Sequence, residues 1–229
     1  MRINMHNHTT FSDGIYDVED IVREGKKCLD AVGITDHYET RKVKSVPRFR
    51  VEEYIRKVRD VGGQLDFKVL VGIEVDFTER TVIEEIPSSF SKLDFILFEY
   101  VNDFRRGGYP LSKLLEFSRK FSLPLGLAHS DIESAFGGMD YDSVLKLFES
   151  HGIFVELNTS KLYTKLDIPY YRSAKNFFNK LREYSVGISV GSDTHFTLSR
   201  VCDVEDAYSF IKEMELEENL EIFLKRVGL

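Results

Sequence analysis

The sequence predicts an α/β fold, a single domain over residues 1–229 built as a closed or nearly closed barrel of parallel strands wrapped by helices. Strand-like and helix-like runs alternate from end to end, the rhythm of a parallel sheet with crossover helices. Seven such units in 229 residues fit a ring more readily than an open doubly wound sheet. No Gly-rich fingerprint follows the first strand, which argues against a dinucleotide fold. The 42% apolar content is enough to bury a sizeable core.

In chain order, the strands read RINMHNH, AVGITDH, KVLVGIEVDF, LDFILFEYV, PLGLAHSD, GIFVELN and VGISVGSD, each an apolar run broken at its C-terminal end by a polar residue. VEDIVREGKKCL follows the first as a helix, with Asp17 placed to cap it and Val18, Ile21 and Val22 forming its apolar stripe. VEEYIRKVRDV repeats the pattern with Val51, Tyr54, Ile55 and Val58. LSKLLEFSRKF, YDSVLKLFESHG and the basic, aromatic YYRSAKNFFNKLREY complete the alternation, and Gly152 suits a helix C-terminus. His151, just before it, reads as a structural histidine bonding the last carbonyls of its helix.

A net charge of -7 argues against broad attraction to nucleic acid or to an anionic membrane surface, so any phosphate must be met locally. No apolar run approaches the roughly 20 residues of a membrane span, and Met-Arg leads straight into a strand without a signal-peptide core. Cys28 and Cys202 are far apart in sequence and read as separate thiols, with neither a disulfide framework nor a Cys-rich zinc site indicated. A cytoplasmic location suits them. The abundance of Lys and Glu is compatible with a thermophile.

The histidines carry the most information. Five of the six, His6, His8, His37, His129 and His195, fall at or just after the polar ends of strands. In a βα barrel those ends converge on one mouth, where active sites are built. Asp13, Asp36, Glu74, Asp76, Glu99, Asp131 and Asp193 occupy positions of the same kind. So many ionisable groups in one cup are costly in desolvation and like-charge repulsion unless cations lie among them. His6 and His8, at i and i+2 of a strand, point to the same face and can reach one ion. Nitrogen and carboxylate ligands without thiolate favour Zn, Mn or Fe.

HNHTTFSDG, ITDH, GIEVDF, LAHSD, VELNTS and GISVGSDTH, in this order, resemble the motifs of the PHP superfamily, the polymerase and histidinol phosphatase group of metal-dependent phosphoesterases, over residues 6 to 195. The resemblance implies a distorted (β/α)7 TIM-like barrel holding two or three divalent metal ions and no organic cofactor. It assigns His6, His8 and Asp193 to a first metal, Glu74 as a bridge to a second with His129, and Asp13, His37 and His195 to a third. Relatives with a complete second site place a histidine after the fourth strand; this chain reads DFILFEYVNDF there, so Glu99, Asn102 or Asp103 stands in its place. The implied reaction is hydrolysis of a small phosphomonoester by a water bridging two metals, with Asp193, His195 and Glu74 central to catalysis. Asp36, Asp131 and Glu156 are open alternatives for the proton donor or for supporting the ligands.

Arg105, Arg106, Lys161 and Arg200 follow strand ends and are the candidates to hold the phosphate; Lys161 and Arg200 match by position the basic residues of histidinol phosphatases. Arg41, Lys42, Lys44, Arg48 and Arg50 after His37 read as a mobile solvated loop in preference to an anion-gathering lid. L-histidinol phosphate is the first candidate substrate, with nucleotides and other phosphate esters behind it. An amidohydrolase is the rival enzyme class, but Lys68 sits at the wrong end of its strand to bridge metals; a non-catalytic metal-binding barrel is the other alternative. The partner expected is a small phosphate ester, and nothing in the sequence sets an oligomeric state.

Overall fold

The computed structural model describes residues 1–79, 87–161 and 167–229. Its strands are β1 (Ile3–Asn4), β2 (Ala31–Ile34), β3 (His37–Tyr38), β4 (Lys68–Val71), β5 (Glu74–Asp76), β6 (Ile96–Glu99), β7 (Leu125–Leu127), β8 (Ile153–Asn158) and β9 (Ile188–Gly191). Every strand pair between them is parallel. They form two arrays, β1-β2-β4 and β3-β5-β6-β7-β8-β9.

The expected second and third strands are each broken in two, at Thr35–Asp36 and at Gly72–Ile73. Tyr54, fully buried on α2 (Val51–Gln64), sits at the break: its hydroxyl lies 2.9 Å from the Ile34 carbonyl, which also accepts from Gly72 N at 2.8 Å, and 2.8 Å from the Gly72 carbonyl, to which its single proton can go. Those carbonyls keep partners where the ladder lapses, as buried backbone groups require. The strands are nonetheless arranged in a ring, with helices between most of them among the described residues. The first strand meets the last through Met5 N to Val190 O (2.7 Å), Asp193 N to His6 O (3.0 Å) and His8 N to Thr194 O (2.9 Å). The fold is thus a distorted TIM-like barrel.

The helices follow the sequence pattern. In α1 (Val18–Gly25) Asp17 and Asp20 form a reciprocal capping box, and Val18, Ile21 and Val22 are buried. Further round lie α3 (Leu111–Ser118), α4 (Ile132–Phe136) and α5 (Tyr141–His151). Gly152 ends α5 in the left-handed conformation, φ 66°, and His151 Nδ1 bonds the Leu147 carbonyl at 3.0 Å. The aromatic segment after β8 is two helices, α6 (Tyr170–Ser173) and α7 (Lys175–Leu181), hinged at Ala174. Two helices beyond those the pattern assigns, α8 (Glu205–Glu213) and α9 (Glu217–Arg226), follow β9. Phe223 of α9 packs on Phe154 with ring centroids 4.7 Å apart and on Phe95 at 6.2 Å. Phe95 and Phe154 precede or open their strands, so this buried aromatic cluster plugs the N-terminal end of the barrel and leaves the C-terminal end for polar groups.

The two cysteines correct the sequence reading. Cys28, just past α1, and Cys202, in the 3-10 turn Leu198–Cys202 after β9, are joined in a disulfide with Cα atoms 6.0 Å apart. Barrel closure brings together segments 174 residues apart, which sequence spacing alone conceals. Among the described residues, no helix is long and apolar enough to cross a membrane.

Candidate metal centre at the barrel mouth

Period two on β1 and its extension does what His-x-His requires. His6 and His8 turn to the mouth with their Nε2 atoms 3.0 Å apart, while Asn7 between them turns away and donates to the Gly33 carbonyl. Parallel register does the same for the next strands: His37 lies beside Glu74, and Asp76 beside Glu99.

Glu74 is the hub. Its Oε2 lies 3.4 Å from His6 Nε2, 3.3 Å from His8 Nε2 and 3.2 Å from His37 Nδ1, and its Oε1 lies 3.0 Å from His129 Nε2. Asp193 Oδ1 stands 3.2 Å from His8 Nε2 and 3.5 Å from His6 Nε2. Asp13 Oδ1 stands 3.3 Å from His195 Nε2 and 3.7 Å from His8 Nδ1. The donor atoms fall into overlapping groups: His6, His8 and Asp193; His6, Glu74 and His129; His8, Asp13, His37 and His195; and His37, Asp76 and Glu99.

The electrostatics are those of a cup built around cations. Burial works against protonating His6, yet Glu156 and Glu74 hold its imidazole well above the ordinary value. Burial works against His8 as well, but Asp193 and Glu74 lift it to about 10, and His129, also buried, is lifted to about 9 by Glu74. Burial drives His37 down to about 4. Burial and the neighbouring Glu74 charge push Glu99 up to about 8. Among the described residues, the buried side-chain atoms without a hydrogen-bond partner include His37 Nδ1, Glu74 Oε2 and Asp193 Oδ2 in the cup, with Asp76 Oδ1, which meets the Lys42 ammonium at 3.0 Å. Buried polar atoms are rarely left so without a catalytic role, a water or an ion to explain them. Nitrogen and carboxylate donors converging on one small volume fit divalent transition metals.

The supporting groups are equally specific. Glu156 Oε1 lies 2.8 Å from His6 Nδ1, which leaves Nε2 to face the cup, and its Oε2 accepts from His129 N at 2.7 Å. Asp36 does not enter the cup: it accepts from the backbone N of Thr9 and Ser12 and from both hydroxyls, and so fixes the turn that carries Asp13. Asp131 caps α4 through Ser134 N at 3.1 Å. His129 and Asp193 adopt left-handed backbone angles, φ 26° and 53°, strain of the kind that collects at functional sites.

Gly191 shows how tightly His6 is held, since a Cβ there would collide with Glu156 Oε1 and the His6 Cβ. Gly191→Ala is expected to displace Glu156 and lower metal content, with activity falling by about 10–100-fold, the usual cost of losing an outer partner. Elemental analysis of the purified variant checks this, and unchanged metal content would refute it.

The residues proposed to hold phosphate separate. Arg105 and Arg106 line a pocket with His129, Ser130, Asp131 and Tyr170. Lys161 is exposed and acts on Asp206, whose carboxyl, against the effect of burial, is held low by Arg172 and Tyr171 with a smaller contribution from Lys161. Arg200 turns inward, and its Nη2 donates to the Ser192 carbonyl at 3.1 Å, bracing the turn before Asp193. Asn102 is directed at the Ala135 carbonyl and Asp103 pairs with Arg105, so Glu99 alone of the three fourth-strand alternatives reaches the cup, 3.2 Å from His129 Nε2. Lys68 bonds the Gly228 carbonyl and takes no part.

The loop after His37 leaves Arg41, Lys42, Lys44 and Arg48 exposed, as its charges suggest, but it is anchored at several points. Thr40 Oγ1 donates to Asp76 at 2.6 Å, Lys44 to the Thr10 carbonyl, and Lys42 enters the mouth itself. Asp76 and Lys42 are the site residues that sequence reasoning left unassigned. For Asp76 the signal was present: it stands two residues after Glu74 on one strand and so shares its face.

Comparison with known proteins agrees with this geometry. A sequence search of curated proteins finds no match. Among solved structures, histidinol phosphate phosphatase from Lactococcus lactis subsp. lactis Il1403, complexed with zinc, L-histidinol and phosphate, is similar with a TM-score of 0.67 at 15% identity, covering 93% of each chain. A two-domain protein from Bacteroides vulgatus ATCC 8482, containing a predicted PHP-like metal-dependent phosphoesterase, gives 0.50 at 13% identity over 99% of this chain and 69% of that one. Dihydroorotase from Campylobacter jejuni gives 0.52 at 13% identity over 99% and 81%. At such identities these likenesses establish the fold. The sequence model of the PHP domain matches residues 4–225, nearly the whole chain, and the chain therefore belongs to the PHP domain family.

Proposed function

We propose that residues 1–229 form one phosphoesterase unit that hydrolyses a small phosphomonoester, with L-histidinol phosphate the first candidate. The observation that carries this is the Glu74 carboxylate, whose two oxygens sit within 3.4 Å of four imidazoles drawn from three different strand ends. His6, His8 and Asp193 would hold one ion, Glu74 and His129 with Glu99 a second, and Asp13, His37 and His195 a third. Divalent ions so held supply positive charge for the phosphoryl oxygens and make water a nucleophile near neutral pH.

The chain's own residues do the rest. Glu156 fixes the His6 ring and the His129 backbone, so two ligand directions are set by one carboxylate. Arg105 and Arg106, at the pocket beside His129, are placed to meet an anionic group next to the cup. Asp103 and Asp131 line the same pocket and suit a substrate that also carries positive charge, as histidinol phosphate does through its amine. The neighbour solved with L-histidinol and phosphate supports this choice of substrate class.

The test is phosphate release from L-histidinol phosphate beside nucleotides and p-nitrophenyl phosphate, using protein of known metal content. Selective turnover of the first is expected, lost on chelation and restored by Zn, Mn or Fe. Turnover confined to other esters would discard histidinol phosphate but keep the phosphoesterase. Bound metal with no hydrolysis of any ester would overturn the reading.

A further inference from the structure

The fourth donor group, His37, Asp76 and Glu99, differs from the other three in already holding a cation. Lys42 Nζ lies 2.5 Å from Glu99 Oε2, 3.0 Å from Asp76 Oδ1 and 2.8 Å from the Tyr100 hydroxyl, and 4.5 Å from the centre of the Tyr100 ring. Both carboxylates are almost fully buried, Asp76 at 5% and Glu99 at 3% exposure, and they are adjacent in register. Two carboxylates so placed repel each other and are poorly solvated unless a positive charge lies between them. Among the described residues, Asp76 Oδ1 has no hydrogen-bond partner and lies 3.0 Å from this ammonium, and His37 Nδ1 of the same group is likewise without a hydrogen-bond partner.

We propose that Lys42 is a tethered cation: its ammonium takes the position between Asp76 and Glu99 that a divalent ion would otherwise fill, and closes that group to metal. The inference rests on the barrel mouth being a metal centre. It also accounts for the divided use of Glu99, one oxygen bound to Lys42 and the other 3.2 Å from His129 Nε2. The lysine thereby aims a fourth-strand carboxylate toward the His129 group in a chain that lacks a histidine there. The loop is built to deliver it, because Thr40, two residues earlier, is itself bonded to Asp76.

The test is a count of ions. Metal-free wild type and Lys42→Met, which keeps most of the stem and removes the charge, are loaded with Mn2+ and the bound metal per chain is measured by elemental analysis. Lys42→Met is expected to hold one ion more than wild type, Lys42→Arg to match wild type, and Lys42→Met combined with Asp76→Asn to lose the added ion. A folded Lys42→Met with wild-type stoichiometry overturns the inference and leaves the metal centre standing; a wild type that binds no ion overturns both.

Reductive methylation of wild type, mapped by peptide mass spectrometry, decides the matter if Lys42→Met does not fold. Lys42, whose side chain is 35% exposed, is expected to lag behind Lys27, Lys92 and Lys225, at 68%, 61% and 75%, both with and without Mn2+. Loss of that protection on metal loading would mean that the metal displaces the lysine, and the inference would fall.

Discussion

Asp193→Asn is expected to empty the centre. The carboxylate is 2% exposed, touches His8 and His6 through Oδ1, and keeps Oδ2 buried without a hydrogen bond. Although burial favours its neutral form, His8 and His6 hold it far below the ordinary carboxylate range, so its charged form is favoured in the fold. The amide has the same shape but no charge, and it turns an NH2 group or a weak carbonyl donor toward the ions. Its loss should exceed the about 10–100-fold typical of outer partners, reaching about 1,000-fold in turnover with a matching fall in bound metal. Replacing Asp36 is the informative contrast. Asp36→Asn keeps every donor of the cup and disturbs only the turn of residues 9–12, so metal loss there should be partial. Asp193→Asn with full metal and full turnover would remove this residue from the centre and with it the proposed arrangement of the ligands.

How far the site was legible in the sequence follows from which links are local. His6 and His8 declare a shared face because strand periodicity is a local rule, and apolar runs that end in polar residues, such as ITDH and LAHSD, mark where strands leave the core. The helix ends at Asp17 and Gly152 were legible for the same reason. What was hidden depends on ring closure or on where one long side chain turns. The break of two strands around the Tyr54 hydroxyl, the inward turn of Arg200 to the Ser192 carbonyl and the entry of Lys42 between Asp76 and Glu99 each join segments through a single polar atom. A run of five basic residues gives no hint which of them is anchored. Backbone register supplies that information, since only after Asp76 and Glu99 are adjacent does an acidic pair exist to attract a lysine.

The disulfide is the other junction that sequence spacing conceals, and breaking it is expected to cost more stability than the other substitutions discussed. The bond closes a loop of 174 residues between α1 and the turn Leu198–Cys202. On the chain-entropy account a loop of that length stabilises by about 5 kcal/mol, and measured native disulfides give about 2–5 kcal/mol. The turn also supports the centre: Val201 O accepts from Asn4 Nδ2 at 2.9 Å, Asp203 O from Thr159 Oγ1 at 2.7 Å, and Arg200 braces Ser192. Cys202→Ser should therefore lower stability by about 2–5 kcal/mol and also loosen the segment carrying Asp193 and His195, so that metal affinity falls with it. Denaturant unfolding of wild type with and without reductant, beside the variant, checks the first part, and metal titration checks the second. Reduced wild type should behave as the variant does, because both lack the same link. Two titratable thiols in the native protein without reductant, or a variant as stable as wild type, would show that the two chain segments are held by packing alone, through the contact of α1 with the turn and the hydrogen bond of Asn4 to the Val201 carbonyl.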